Sequence, residues 1–220
     1  MPIENFNGET FVAFLDISGF KELMTDDQKA WKSLDALYRA GYNTLHGNNR
    51  TVDGLFVSDC GILFVRNGHD NAERFKSILL MTREINKKML EENFMLTTTI
   101  AFGRFKYQER IEFEGIEKNP IYGNAYVSAY LDNESGKPRI QPGQCRIIKK
   151  NLPSELNEML KTPNHNNTLM KLINHKSGDK NHYYYYWMID NSSEIADFEK
   201  QYSNSYDLKF TGMLKALKGE

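Results

Sequence analysis

Residues 54–65 read Gly54-Leu55-Phe56-Val57, Ser58-Asp59-Cys60-Gly61, Ile62-Leu63-Phe64-Val65. Two apolar runs around a short polar break predict a tight β-hairpin, with Gly61 supplying the freedom of the turn. Upstream, Thr10–Leu15 (TFVAFL) has the composition of a buried strand and ends at Asp16. Ile17-Ser18-Gly19-Phe20 then leads into a short helix at 21–24. Residues 30–45 have helical spacing, and Trp31, Leu34, Tyr38, Tyr42 and Leu45 can share one face.

Downstream, residues 70–91 form a strongly amphipathic helix, with Phe75, Leu79, Ile85 and Met89 on its apolar side. Residues 96–105 (LTTTIAFGRF) are a long strand, 108–118 a charged excursion or arm, and 124–133 a helix preceded by Tyr122-Gly123. A turn-rich segment at 136–142 precedes further strands at 145–148 and 183–189. Residues 161–181 are polar and predict an exposed insertion. A final helix spans 193–217, with Ile195, Phe198, Tyr202, Met213 and Leu217 as packing residues. Strand, two helices, hairpin, helix and strand predict a ferredoxin-like α+β fold: an antiparallel-rich sheet with helices on one face. No linker divides the chain, so 1–220 reads as a single domain with its core at about 10–150 and later elements completing it.

The 220 residues are 40% hydrophobic and 26% charged, which excludes a largely disordered chain. A net charge of −1 argues against nucleic acid as the main partner. No apolar run approaches the roughly 18 residues of a membrane span. Met1 to Asn7 lacks a signal-peptide pattern, so a cytoplasmic location and no membrane partner are expected. Cys60 and Cys145 lie too far apart in sequence to suggest a disulfide framework or a cysteine-based zinc site, and the histidines do not cluster at ligand spacing.

Asp16 closes a buried strand and Asp59 sits at the tip of a hairpin. If the hairpin lies beside the first strand, both carboxylates meet at one edge of the sheet. Two carboxylates so close repel unless a cation lies between them, and Mg²⁺ favours a few carboxylates together with substrate phosphates. Backbone N–H groups at the helix start after Gly19 favour phosphate. Together these features suit a nucleoside triphosphate. The plainer alternative is a turn aspartate at 59 and a capping aspartate at 16.

Four segments carry a family resemblance: FVAFLDISGFKELM at 11–24, VSDCGILF at 57–64, TTIAFGRF at 98–105 and IYGNAYVSAYLDNES at 121–135. In order and spacing, over roughly 10–150, they resemble class III nucleotidyl cyclases. AFGRF with YGNAYVSAY is most similar to the pyrimidine (uridylate and cytidylate) cyclases of bacterial Pycsar antiphage systems, which make cyclic UMP or cyclic CMP. The resemblance implies a homodimer with composite sites, UTP or CTP as substrate, and a separate effector that reads the cyclic nucleotide. It implies two Mg²⁺ or Mn²⁺ ions held by Asp16, Asp59 and the Ile17 carbonyl, with substrate contacts from Ser18, Gly19 and Phe20.

The departures are equally informative. Purine cyclases place a lysine four residues before the hairpin acid and an acid three residues before the loop glycine; Leu55 and Pro120 stand there. This disfavours adenine and guanine, and Tyr42 or Asn119 is the candidate base contact. Val127 and Leu131 occupy the positions of the usual facing-helix asparagine and arginine. Arg104 is therefore the candidate catalytic cation, against the plainer reading of a solvated strand-end arginine. Tyr126 and Tyr130 suit dimer packing, and Cys60 a small filler. Competing readings are a cyclase-like module that binds a nucleotide or partner without turnover, and a diguanylate-cyclase-like phosphotransferase. The second is disfavoured by Ser58-Asp59-Cys60-Gly61 in place of an acidic Gly-Gly hairpin.

Overall fold

The run TFVAFL is apolar without alternation because its strand is covered on both faces. In β1 (Phe6–Ile17), Phe11, Ala13, Leu15 and Ile17 point into one core, while Val12 and Phe14 point into another. The structure, a computed structural model, describes residues 3–47, 51–113, 115–161 and 169–206.

After β1 come α1 (Phe20–Leu23) and α2 (Asp27–His46). Asp26 caps α2 by accepting the Gln28 and Lys29 amides at 3.0 and 3.2 Å. The hairpin is β2 (Val52–Val57) and β3 (Cys60–Val65), followed by α3 (Asn71–Glu91), capped by Asp70. β4 (Leu96–Tyr107) leads into β5 (Arg110–Phe113), β6 (Ile116–Lys118) and β7 (Ile121–Tyr122). Then follow α4 (Asn124–Ser135), β8 (Cys145–Ile148), α5 (Ser154–Lys161), β9 (Ile173–Asn174), β10 (His182–Tyr185) and α6 (Ile195–Tyr206).

The main sheet has the order β2-β3-β1-β4-β8-β10-β9, with β7 added to the end of β4. All of its pairings are antiparallel except β4 with β8. Its β2-β3-β1-β4 portion has the expected ferredoxin-like order. β5 and β6 form a separate two-stranded ribbon, which is the charged excursion at 108–118.

α2 and α3 cover one face, as expected. α4 packs on the other, seating Ala125 and Ala129 against Val12, Phe14, Phe64 and Phe105. The alanines let α4 lie close to the sheet, so the sheet is a middle layer.

Several expectations are corrected. Gly61 is in β3, and the turn is Ser58-Asp59, with Ser58 at φ 54°. Gly61 is needed for space instead: an added Cβ would sit 2.7 Å from the Phe56 ring. On α2 the buried stripe is Ser33, Ala36, Leu37, Ala40, Gly41 and Thr44, while Trp31, Tyr38 and Tyr42 are exposed. The Phe56 ring presses against Gly41, where a Cβ would lie 2.2 Å from it, so the aromatic residues turn outward. The polar insertion is partly core, since Leu169, Met170, Leu172 and Ile173 are buried and β9 pairs with β10. Met213 and Leu217 of the final helix lie outside the described residues.

A buried polar network ties the C-terminal strands to α4. Arg146, fully buried on β8, donates through Nε to Asp132 of α4 at 2.6 Å and through Nη1 to the Pro138 carbonyl at 2.6 Å. His182 lies between Asp132 and Asp179, 2.8 Å from each. Tyr184 donates to Asp179 at 2.7 Å. A buried arginine left without its carboxylate costs several kcal/mol, so this network fixes the end of α4 firmly.

Candidate active site

Register brings the two predicted aspartates together. Asp16 pairs with Cys60, the residue after Asp59, and the Ile17 amide donates to the Asp59 carbonyl at 3.0 Å. The hairpin tip is therefore bonded to the end of β1. Strand alternation points Asp16 to the face covered by α4, along with Val12 and Phe14.

Asp16 is partly buried, and its carboxyl is pushed up to about 7. Burial is the main cause, followed by the charges of Asp59 and Glu134. The same surroundings push the Cys60 thiol up to about 11: burial first, then Asp59, Asp16 and Glu134. Cys60 is thus a protonated thiol, donating to the Val57 carbonyl at 3.1 Å.

Glu134 is a site residue that the sequence reading missed. It stands in the last turn of α4, held over β4 by Asn133, whose Oδ1 accepts from Thr97 at 2.9 Å. Residue 97 pairs with residue 16, so the same anchor brings Glu134 toward Asp16. The available signal was an acid on an otherwise apolar helix flank at i+3 from Leu131.

The segment after Asp16 turns sharply. The Ser18 amide donates to the Met95 carbonyl at 2.9 Å, and Gly19 adopts φ 75°, which glycine tolerates best. Phe20 is buried and anchors α1. The amides of Gly19, Phe20 and Lys21 have no backbone acceptor among the described residues. The Ser18 hydroxyl is buried and has no hydrogen-bond partner among the described residues.

In donor chemistry the site fits divalent cations. Asp16 and Asp59 lie within electrostatic reach of each other, Glu134 also acts on Asp16, and Asp16 is pushed toward its protonated form, with no basic side chain in ion-pair reach among the described residues. Asp16, Asp59 and the Ile17 carbonyl would hold such ions. Among the described residues no group of three or more His, Cys, Asp or Glu is placed to hold a metal ion.

Three predicted residues are not brought to this point. Arg104 pairs with Glu9, and Thr97 pairs with Asp16, so Arg104 lies roughly 23 Å along β4 at 3.3 Å per residue. Alternation also turns it to the α3 side of the sheet. Asn119 accepts from Tyr107 at 3.0 Å at the same distant end. Tyr42 is on α2, on the opposite layer, and is 67% exposed. Their separation follows from strand length and helix phase, which a linear reading does not supply.

Leu55 packs beneath the α4-side core, and Val127, Tyr130 and Leu131 are exposed on α4 at 46, 40 and 51%. Tyr130 meets Phe14 edge-on at 5.4 Å and Tyr126 at 6.3 Å.

No protein-family profile matches the chain, and no curated protein matches it. Solved structures do. The adenylyl cyclase CyaB from P. aeruginosa is 15% identical, with a TM-score of 0.58 over 83% of this chain and 96% of that one. The guanylate cyclase domain of RhGC from Catenaria anguillulae, solved with GTP, is 16% identical, with a TM-score of 0.52 over 83% and 97%. A rhodopsin-guanylyl cyclase catalytic core of converted specificity, solved with ATPαS, is 12% identical, with a TM-score of 0.56 over 83% and 96%. The chain has the α+β fold of class III cyclase domains.

Proposed function

We propose that this protein is a pyrimidine nucleotide cyclase, converting UTP or CTP to the 3′,5′-cyclic monophosphate and pyrophosphate. The observation that carries the reading is the Asp16–Asp59 pair, joined through the Ile17 amide on a cyclase fold, with the Asp16 carboxyl raised to about 7. The ribose 3′-oxygen attacks the α-phosphorus in line, the bond to the β-phosphate bridge breaks, and the 3′-hydroxyl proton leaves to water. Two Mg²⁺ or Mn²⁺ ions, when bound, would activate that hydroxyl and neutralise phosphate charge.

The chain's own residues do the positioning. Asp16 and Asp59 hold the cations, together with the Ile17 carbonyl. The amides of Gly19, Phe20 and Lys21 face the phosphates, Gly19 making the turn that frees them and Phe20 anchoring it. The buried Ser18 hydroxyl is a further phosphate-side donor. Lys21, exposed and without an acidic partner among the described residues, is the basic side chain nearest in sequence to this turn.

Pyrimidine preference rests on Leu55 and Pro120, neither of which presents a side-chain donor or acceptor to a purine edge. The exposed α4 face at Val127, Tyr130 and Leu131 supports a homodimer in which α4 of one protomer completes the site of the other. The sequence resemblance extends the proposal to cytoplasmic antiphage signalling through a separate effector.

A second reading has support in Val127 and Leu131, which replace polar groups with apolar ones: a cyclase-like module that binds nucleotide without turnover. Incubation with each of the four ribonucleoside triphosphates and Mn²⁺ separates the two. Cyclic UMP or cyclic CMP with pyrophosphate, abolished by Asp59→Ala, is the expected result. Binding without product supports the second reading, and cyclic AMP or GMP as the main product overturns the pyrimidine assignment.

A further inference from the structure

A second cleft lies at the far end of β4. It has a volume of about 490 Å³ and is lined by Asn7, Arg104, Lys106, Tyr122, Gly123 and Asn124, among others. That volume is in the range that takes a small organic ligand. β8 pairs with β4 at residues 98–100 and β7 at 106–107, so among the described residues the strand edge between them has no paired strand.

The register sets which side chains share the cleft. Asn7 pairs with Lys106 and Lys106 with Tyr122, while Glu9 pairs with Arg104. These residues fall on one side of the sheet, opposite to the side of Asp16. Arg104 is exposed and has no acidic partner among the described residues. Glu9, opposite Arg104 in register, interacts electrostatically with Arg74 of α3. Lys106 Nζ stands 5.5 Å over the Tyr122 ring, half of whose residue surface is open. Among the described residues no acidic side chain lines the cleft.

We propose that this cleft binds a nucleoside phosphate, with the phosphate at Arg104 and Lys106 and the base against Tyr122, separately from the Asp16–Asp59 pair of the same chain. Two unneutralised cations on alternate positions of one strand face match a phosphate group. The open aromatic ring offers a stacking platform that tolerates any base. The amide of Asn7 carries both donors and acceptors for base or sugar hydroxyls. Gly123 keeps the far wall close, since a Cβ there would lie 2.2 Å from the Arg104 carbonyl. Asn124 begins α4, so a ligand seated here touches the start of the helix whose last turn carries Glu134.

The proposal stands whether or not the aspartate pair is catalytic. Calorimetric titration of the whole protein with UMP in excess chelator removes any contribution from divalent ions. Saturable binding is expected, unchanged in Asp59→Ala and weakened about 100-fold in the Arg104→Gln, Lys106→Gln double variant, since two charge-assisted contacts are lost. Tyr122→Ala should weaken UMP about tenfold while leaving inorganic phosphate unaffected. No saturable UMP binding, binding undiminished in both the double variant and Tyr122→Ala, or binding lost in Asp59→Ala overturns the proposal. Inorganic phosphate binding as tightly as UMP overturns the nucleoside assignment. Because these readouts need neither metal nor turnover, their failure is distinct from a negative cyclase assay.

Discussion

Replacing Asp16 by asparagine removes a charge that the metal-free fold holds at a disadvantage. Its carboxyl titrates at about 7 in the folded chain against 3.8 when free. Between those values the folded state binds more protons than the unfolded one, so this group lowers stability progressively as pH rises from about 4 to about 7, and the penalty is constant above that. Taken in full, the interval amounts to about 4 kcal/mol at 1.36 kcal/mol per pH unit, and solvent access to Asp16 reduces this to about 2. Asp16→Asn should therefore be more stable than the wild type by about 2 kcal/mol at pH 8 in chelator, or about 4–8 °C in melting temperature for a chain of this length. The advantage should fade toward pH 4. Mg²⁺ or Mn²⁺ at pH 8 should raise the melting temperature of the wild type and leave that of Asp16→Asn nearly unchanged. Thermal unfolding at pH 4.5 and 8, with chelator and with each metal, measures all of this. An asparagine variant less stable than the wild type at pH 8 in chelator would refute the account of Asp16 as a strained acid awaiting a cation.

Other substitutions probe the frame around the site. Arg146→Ala should destabilise by about 3–5 kcal/mol, because Asp132 is left partly buried and loses its charge-assisted bond; denaturant unfolding reads this directly. Gly41→Ala should cost about 1–3 kcal/mol, since its methyl meets the Phe56 ring, and the added Phe56→Leu should recover part of the loss. Leu131→Asp, on the exposed face of α4, should leave melting temperature nearly unchanged and shift sedimentation toward a monomer. A Leu131→Asp protein that sediments as the wild type does would refute the proposed dimer interface on α4.

The central strand and the hairpin were legible because burial on both faces leaves no polar residue to interrupt Thr10–Leu15, and because a short polar break between two apolar runs has few geometries open to it. The long helix at 71–91 was legible from its period, with Phe75, Leu79, Ile85 and Met89 all fully buried. On α2 the same rule failed. Its large aromatics face outward because the neighbouring Phe56 ring requires Gly41 beneath it. A packing partner on the next element, invisible in local periodicity, set the phase. The polar stretch before β10 misled for a related reason: its few apolar residues are the ones that matter, and β9 takes its register from β10.

The site divides the same way. That two acids end a strand and tip a hairpin, with a glycine turn after the first, is readable along the chain, because these are local features with local chemistry. Which of the remaining residues join them depends on the folded sheet. Register over β1 and β4 carried Arg104 and Asn119 away to the opposite end of the sheet, and helix phase turned Tyr42 off on another layer. The same register, through Thr97 and Asn133, drew Glu134 in. Strand pairing converts distance along the chain into position across the sheet, and that conversion is a property of the assembled sheet rather than of any segment within it.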